Sequence, residues 1–336
     1  MRWNFLMTLT LLAAACSARA ELPAPAQKPG PGLREIGAIA LPEVNGRIDH
    51  LALDAKRMRL YVAALENNSL EVVDLNKGAR ERQILGLAQP QGVLYLQEFD
   101  RVVVSNGESG KLDVFDGNTL ERTNSIDVGN DADNLRFDPL TREIFVGQGD
   151  GALVIVDATT WTITKRVALA AHPESFQLAA SGERVFVNTP GSRQIASVDR
   201  QSKAQPQTWP VSQAGANYPM ALIEADRQVL VGCRNPPRLL SFDSESGRAC
   251  DSLELSGDCD DIFYDAQRGR VFVACGEGFI DVFERREVKS LSRSARLPTA
   301  AGARTCLLVP ELQRLYLAVP KRGSQRAEVR VFEVVP

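Results

Sequence analysis

Seven short apolar segments with the same hydrophobic pattern recur along the chain. Each has three consecutive β-branched, aliphatic or aromatic residues, and an arginine stands one or two residues before it. Turn-forming residues flank each segment, and this combination is typical of β-strands. These tight strands are predicted at Leu60–Val62, Val102–Val104, Ile144–Val146, Val185–Val187, Val229–Val231, Val271–Val273 and Leu315–Leu317.

A shorter apolar strand precedes each tight strand, and a third strand and a weaker, more polar fourth strand follow it. The third strand ends in an acid, whose side chain is expected to accept hydrogen bonds in the next turn. A repeat of four strands predicts a β-propeller, and helical repeats are excluded because a 3.6-residue period is nearly absent. The units begin, at intervals of 41 to 45 residues, near Asp49, Gln91, Asp133, Glu174, Pro219, Asp260 and Arg304.

The seventh unit is one strand short, because the chain ends at Pro336 soon after the third strand, Val329–Glu333. We predict that the missing strand is Leu33–Leu41, near the other end of the chain. Its pairing with the last unit would close the ring and leave no open sheet edge at the seam. The sequence therefore predicts an all-β fold, a single seven-bladed β-propeller over residues 33–336 with four antiparallel strands per blade.

Residues 1–20 have the pattern of a secretory signal peptide, with Arg2, an apolar stretch over Phe5–Ala15 and a small-x-small cleavage site at Ala18-Arg19-Ala20. The apolar stretch is too short to span a bilayer, and no later stretch approaches that length. We therefore predict a periplasmic or secreted bacterial protein with no transmembrane segment and a flexible lead-in over residues 21–32. Lipid anchoring through Cys16 is the alternative, although the usual leucine three residues before it is absent.

The chain is weakly acidic, with 39 Lys and Arg, 42 Asp and Glu and a formal net charge of −3. Loss of the signal peptide would remove Arg2 and Arg19 and no acid, and would make the charge more negative. Nucleic-acid binders gain most of their affinity from phosphate neutralisation by a basic surface. We therefore expect no nucleic-acid partner. The expected partner is a small polar molecule or a protein, and the expected oligomeric state is a monomer.

Two tight strands carry a family resemblance. Arg101-Val102-Val103-Val104-Ser105-Asn106 and Arg184-Val185-Phe186-Val187-Asn188-Thr189 resemble the Tyr-Val-Thr-Asn repeat of the YVTN-type β-propellers. Ala171–Leu178, Asn217–Leu222 and Gly302–Thr305 resemble phrases of bacterial secreted members. The resemblance covers about residues 33–336 and implies the fold. It implies no particular activity, because most members have none assigned and related propellers include lactonases, quinone-dependent dehydrogenases and binding proteins.

The positions that enter the first strand of each unit are candidates for a ligand site. First strands line the central channel of a propeller, so these positions should meet at one mouth. Six of the seven entry positions are polar or charged, and both histidines of the chain lie beside such a position. A packed core would exclude these groups, because buried charge must be paired or bound. The predicted ligand-binding residues are Asp49, His50, Asp133, Asn134, His172, Glu174, Tyr218, Asp260, Asp261 and Arg304.

Three functions are open for this ring, beside a water-filled channel with no ligand. The first is non-enzymatic binding, in which carboxylates and imidazoles hold a small polar ligand or divalent metal ion and Arg304 grips an anionic group bidentately. Oxygen ligands suit calcium, whereas His50 and His172 with carboxylates suit zinc, iron or copper. The second is a metal-assisted hydrolase or lactonase, or an oxidoreductase, with Asp49 and His50 as acid and base. The third is a protein-interaction scaffold that uses its outer loops.

Five cysteines follow the predicted signal peptide, all in the last three units. Export permits disulfides, and one pair among Cys233, Cys259 and Cys275 is the candidate. The odd number leaves at least one thiol unpaired within a single chain. Small buried unpaired residues are the other interpretation, which also covers Cys250 and Cys306.

Overall fold

The described residues form seven four-stranded antiparallel sheets around a central axis, so the predicted seven-bladed β-propeller is confirmed. The computed structural model describes Met1, residues 32–202 and residues 204–336. The predicted signal peptide, Cys16 and all of the predicted lead-in except Gly32 lie outside these residues. In the part of the chain that is described, no helix has the length and apolarity to cross a bilayer.

Each blade runs from an inner strand at the channel to an outer strand at the rim. Blade 1 is formed by β2 (Leu51–Asp54), β3 (Arg59–Ala64), β4 (Ser69–Asp74) and β5 (Ala79–Leu85). Blade 2 is formed by β6 (Pro90–Leu96), β7 (Arg101–Asn106), β8 (Lys111–Asp116) and β9 (Arg122–Asp127). Blade 3 is formed by β10 (Ala132–Asp138), β11 (Glu143–Gln148), β12 (Ala152–Asp157) and β13 (Thr162–Ala168). Blade 4 is formed by β14 (Phe176–Leu178), β15 (Arg184–Thr189), β16 (Gln194–Asp199) and β17 (Gln207–Pro210). Blade 5 is formed by β18 (Gly215–Ile223), β19 (Gln228–Asn235), β20 (Pro237–Asp243) and β21 (Ala249–Glu254). Blade 6 is formed by β22 (Cys259–Asp265), β23 (Arg270–Cys275), β24 (Phe279–Glu287) and β25 (Ser290–Pro298). The seventh is formed by β26 (Cys306–Val309), β27 (Arg314–Val319), β28 (Glu328–Val334) and β1 (Leu33–Ala40). Single 3-10 turns lie at Leu65–Asn67, Pro190–Ser192, Glu224–Asp226 and Pro310–Leu312.

The second and third strands of each blade are apolar on both faces because blades stack against each other around the ring. Successive side chains of a strand point to opposite faces. In β3, Leu60 and Val62 pack toward blade 7, whereas Tyr61 packs toward blade 2. Seven apolar clusters arise in this way, one between each pair of neighbouring blades. Outer strands such as β13 alternate between exposed and half-buried residues, because only one of their faces is covered.

Acids at the ends of strands act as turn acceptors, as the sequence predicts. Asp116 Oδ1 accepts the backbone N–H groups of Asn118 and Thr119 at 3.0 and 2.9 Å. Asp157 accepts the corresponding N–H groups in the next blade at 2.8 and 2.7 Å. The same arrangement recurs at the ends of other strands, so these acids satisfy turn donors and are not part of the channel site.

The ring is closed as predicted, because β1 pairs antiparallel with β28 and completes blade 7. Leu33 of β1 is 1% exposed and packs between blades 6 and 7, whereas Ile39 packs between blades 7 and 1. One strand from the beginning of the described chain therefore supports both interfaces of the last blade. Ile36, on the same strand, is 47% exposed and belongs to neither cluster.

We expect Leu33→Ala to lower the free energy of unfolding by about 2–5 kcal/mol, because it leaves a cavity beside the closing strand. Ile36→Ala, on the exposed face of β1, should change it by less than about 0.5 kcal/mol. Urea unfolding of the two variants beside the wild type measures both effects. Equal losses in both variants would show that β1 adds only backbone pairing and no core packing.

Candidate functional site

The loops that enter the inner strands enclose a polar cavity of about 250 Å³ at one mouth of the channel. We call it the polar mouth. Inner strands of neighbouring blades contact each other around the ring, and this brings residues from distant parts of the sequence together. Nine of the ten residues selected from the sequence line it: Asp49, His50, Asp133, Asn134, His172, Glu174, Tyr218, Asp260 and Arg304. Whether they bind a ligand stays a prediction.

Asp261, the tenth residue, lies deeper in the channel than the sequence alignment predicts. The pairing of β22 with β23 shifts register between Cys259 and Asp261, and this bulge directs Asp260 and Asp261 to different levels. Asp261 Oδ2 accepts the backbone N–H of Cys306 at 2.8 Å, and Oδ1 lies 3.6 Å from His50 Nδ1. Asp261 therefore forms the floor of the polar mouth together with His50.

A compact group of three side chains occupies one side of the polar mouth. His172 Nε2 lies 3.6 Å from Asp133 Oδ2 and 3.7 Å from Glu174 Oε1. One ligand atom from each residue lies within 4.8 Å of the others. We call Asp133, His172 and Glu174 the acid-histidine triad. Two carboxylates and an imidazole are the donor types that bind divalent transition metals.

Two further polar groups of the cavity, Asp131 and Gln91, stand at the other edge of the imidazole. His172 Nδ1 lies 3.6 Å from Asp131 Oδ2, and Gln91 Nε2 donates a hydrogen bond to Asp131 Oδ1 at 2.9 Å. Asp131 has a left-handed backbone, with φ of 49°. The carboxylates of Asp131 and Asp133 thus lie at opposite nitrogens of the His172 ring, Nδ1 and Nε2.

Burial and charge hold protons on the triad at neutral pH. Burial, followed by repulsion from Asp133, raises the pKa of Glu174 to about 8. Burial alone would lower the pKa of His172, but a hydrogen bond to Asp133 and the charge of Glu174 raise it to about 9. Burial likewise raises the pKa of Asp49 to about 7. Burial and mutual repulsion thus disfavour the charged form of the carboxyl groups of Glu174 and Asp49.

The opposite side of the polar mouth is an ion-pair network. Arg304 contacts Asp258 and Asp260, each at 2.9 Å, and Arg234 contacts Asp260 at 2.5 Å. The Arg234 guanidinium also stacks 3.8 Å from the centre of the Tyr218 ring. That Arg304 grips an anionic ligand bidentately stays a prediction; in this structure its Nη1 and Nε contact the carboxylates of Asp258 and Asp260.

Five residues of the polar mouth are not among the ten predicted from the sequence: Arg47, Gln91, Asp131, Ser175 and Arg234. Of these, Arg234 is the one that does not stand at the entry to a first strand. It lies near the end of a second strand, β19, whereas the residues predicted from the sequence stand at the entries to first strands. At the equivalent position the other units have Leu65, Gly107, Gly149, Pro190, Gly276 and Pro320. The sequence signal for Arg234 was therefore a charged residue at a repeat position where the other six units have glycine, proline or leucine. Space at this position is limited beside the mouth. A Cβ at Gly149, for example, would lie 2.6 Å from the Asp131 Cβ.

The five cysteines of the described residues are unpaired. Cys259 and Cys275 lie opposite each other on β22 and β23, and all except Cys250 are buried. Burial raises the pKa of Cys233 to about 12 and that of Cys259 further, so these thiols are poor nucleophiles at neutral pH. Of the two interpretations, the buried unpaired one agrees with this arrangement, and the candidate disulfide is not formed.

Comparison with known proteins supports the fold and gives no function. No protein-family model matches the sequence, and no curated protein matches it. A chain of hydrazine synthase from Kuenenia stuttgartiensis is 14% identical with a TM-score of 0.69, over 82% of this chain and 94% of that chain. A chain of the mitotic checkpoint complex is 11% identical with a TM-score of 0.76, over 98% of this chain and 100% of that chain. Structural similarity at these low sequence identities supports the propeller fold and no shared function.

We expect Arg234→Met to lower the free energy of unfolding by about 2 kcal/mol or more, because Asp260 loses a charged donor and Tyr218 loses its stacking partner. Arg326→Met removes an exposed arginine and should change it by less than about 0.5 kcal/mol. Urea unfolding measures the difference. Equal stability of the two variants would mean that the ion-pair network adds nothing to the fold.

Proposed function

We propose that this protein is a binding β-propeller that holds a divalent transition-metal cation on the acid-histidine triad of its polar mouth. The observation that carries the proposal is the convergence of Asp133, His172 and Glu174, whose ligand atoms lie within 4.8 Å of one another. Export to the periplasm and membership of the YVTN-type propellers are part of the same proposal, and both rest on the sequence.

The spacing of the triad favours zinc over calcium. Tetrahedral zinc with bonds near 2.0–2.1 Å separates its ligand atoms by about 3.4 Å. The distances from His172 Nε2 to Asp133 and Glu174 are 3.6 and 3.7 Å, close to that value without any ion bound. Calcium takes six to eight oxygen ligands at longer distances, and an imidazole does not suit it.

Groups around the triad are also suited to a cation. The Asp131 carboxylate lies 3.6 Å from His172 Nδ1, the place of the carboxylate that orients the imidazole in many metal sites. The side-chain oxygen of Asn134 is buried and has no donor among the described residues, although its residue lines the same cavity. An unpaired buried acceptor is costly and would be satisfied by a cation or by its bound water.

Three protein ligands leave a coordination position open toward the rest of the cavity. The volume of about 250 Å³ accommodates roughly eight waters at about 30 Å³ each. A small polar molecule that also bears an oxygen donor could fill this space and complete the coordination of the ion. This is how we interpret the small polar ligand that the sequence predicts.

Hydrolysis with His50 as general base is the weaker alternative. Burial would lower the pKa of His50, but the carboxylates of Asp261 and Asp49 together raise it to about 10. The imidazole is then protonated at neutral pH and cannot accept a proton from water.

A role as a protein-interaction scaffold also lacks support. The exposed large apolar residues within residues 32–202 and 204–336 are scattered over four blades: Ile36, Leu85, Leu140 and Val288.

Glu174→Gln should weaken Zn²⁺ binding by at least about 100-fold, because it removes a charged ligand, and Asp131→Asn should weaken it by about 10–100-fold. Glu121→Gln is the matched control, since Glu121 is exposed and its side chain makes no hydrogen bond to any residue that the structure describes. Isothermal titration with Zn²⁺ gives the dissociation constants. In the wild type, zinc at 100 times that constant should raise the free energy of unfolding by about 2.7 kcal/mol. Equal binding by Glu174→Gln and Glu121→Gln would refute the assignment.

Zinc affinity should rise with pH. Glu174 and His172 carry protons below pKa values of about 8 and 9, and the metal must displace them. The metal-free state therefore binds more protons, so binding strengthens by about 10–100-fold per pH unit between pH 6 and 7.5. Titration in buffers of different ionisation enthalpy counts the released protons. A dissociation constant that stays flat or grows over this range would contradict the proposed ligands.

A further inference from the structure

A second cavity of about 380 Å³ lies along the same channel, beyond the polar mouth. Its walls come from the inner strands of all seven blades and are mostly apolar, and we call it the apolar chamber: Leu51, Leu94, Arg136, Leu222, Phe263 and Leu307. These residues follow the mouth residues by about two to four positions on their strands. At about 3.3 Å per residue, the chamber lies roughly 7–13 Å deeper. His50 and Asp261, 3.6 Å apart, separate the two cavities.

Arg136 is the cation of this chamber, and it has no carboxylate partner among the described residues. Its Nη1 donates a hydrogen bond to its own neighbour, the Leu135 carbonyl, at 2.7 Å. The guanidinium carbon lies 5.5 Å from the centre of the Phe176 ring. Arg136 is half-buried, and its other N–H groups have no protein acceptor among the described residues and keep some exposure, so they face the channel.

The other arginines near the axis do not share this property. Arg234 and Arg304 each have a carboxylate oxygen within 2.9 Å. Burial lowers the pKa of Arg136, but a guanidinium stays charged in proteins, so the chamber retains a free positive charge. Asp261 and Asp133 act on this guanidinium only through their charges, without a direct ion pair. A partly buried cation with no direct acid partner is costly and favours an anion beside it.

We propose that the apolar chamber binds a small organic monocarboxylate, whose carboxylate pairs with Arg136 and whose apolar body packs against the leucines and Phe263. A planar carboxylate matches the guanidinium fork. A doubly charged phosphate does not suit the chamber, because Asp261 lies beside His50 at its mouth end and leaves Arg136 as the one cation without an ion-pair partner among the described lining residues. The volume of about 380 Å³ holds roughly a dozen water-sized atoms, which fits a chain of about eight carbons.

The test uses octanoate as the probe, with 1-octanol and octylamine as neutral and cationic analogues of the same length. Isothermal titration of the whole protein should show octanoate binding at least about ten times more tightly than either analogue. Arg136→Met should weaken octanoate binding by about 10–100-fold, whereas Arg82→Met, which removes an exposed arginine, should not change it. Absence of octanoate binding to the wild type, or equal binding by Arg136→Met and Arg82→Met, would overturn the proposal.

Two further variants keep the test decisive if Arg136→Met does not fold. Leu94→Trp fills the chamber and leaves Arg136 in place, so it should abolish octanoate binding, and retained binding would refute the chamber as the site. Glu174→Gln alters only the polar mouth and should bind octanoate as the wild type does. Loss of octanoate binding in Glu174→Gln would mean that the carboxylate occupies the mouth, which contradicts the proposal. Zinc binding by the same proteins reports the mouth separately.

Discussion

Closure of the ring is the constraint on which the other features depend. Pairing of β1 with β28 gives the seventh blade its fourth strand, and each blade then packs against two neighbours. With seven blades in place, every inner strand borders the axis, and the residues before these strands meet at one mouth. Asp133 and Glu174 come from different blades, yet both lie within 3.7 Å of His172 because the inner strands of blades 3 and 4 are neighbours in the ring.

The channel separates charge from apolar surface along its length. At the polar mouth, arginines and carboxylates pair on one side, whereas the acid-histidine triad on the other side holds more acid than its own cation compensates. Below His50 and Asp261 the walls become apolar, and Arg136 has no counter-ion within the described chain. One cavity thus favours a cation and the other favours an anion with an apolar body, although the same seven strands build both.

Most of the fold could be predicted from the sequence, because tight strands, turn acids and the missing fourth strand repeat with a regular interval. The residues of the mouth could largely be located in the same way, since inner-strand entries converge in any closed propeller. Three features of the site could not be predicted from the sequence. The bulge before Asp261 depends on strand pairing. The pairing of Arg304 with Asp258 depends on side-chain conformation. Arg234 enters from a second strand and becomes part of the mouth only in three dimensions.

The central claim is that ring closure builds a cation site from Asp133, His172 and Glu174. Anomalous diffraction at the zinc absorption edge, from crystals of the full chain grown with Zn²⁺, tests it most directly. We predict one strong peak at about 2.0–2.2 Å from an oxygen or nitrogen atom of each of these three side chains. A map with no peak at the triad, or with zinc bound elsewhere on the surface while the triad keeps its hydrogen bonds, would contradict it.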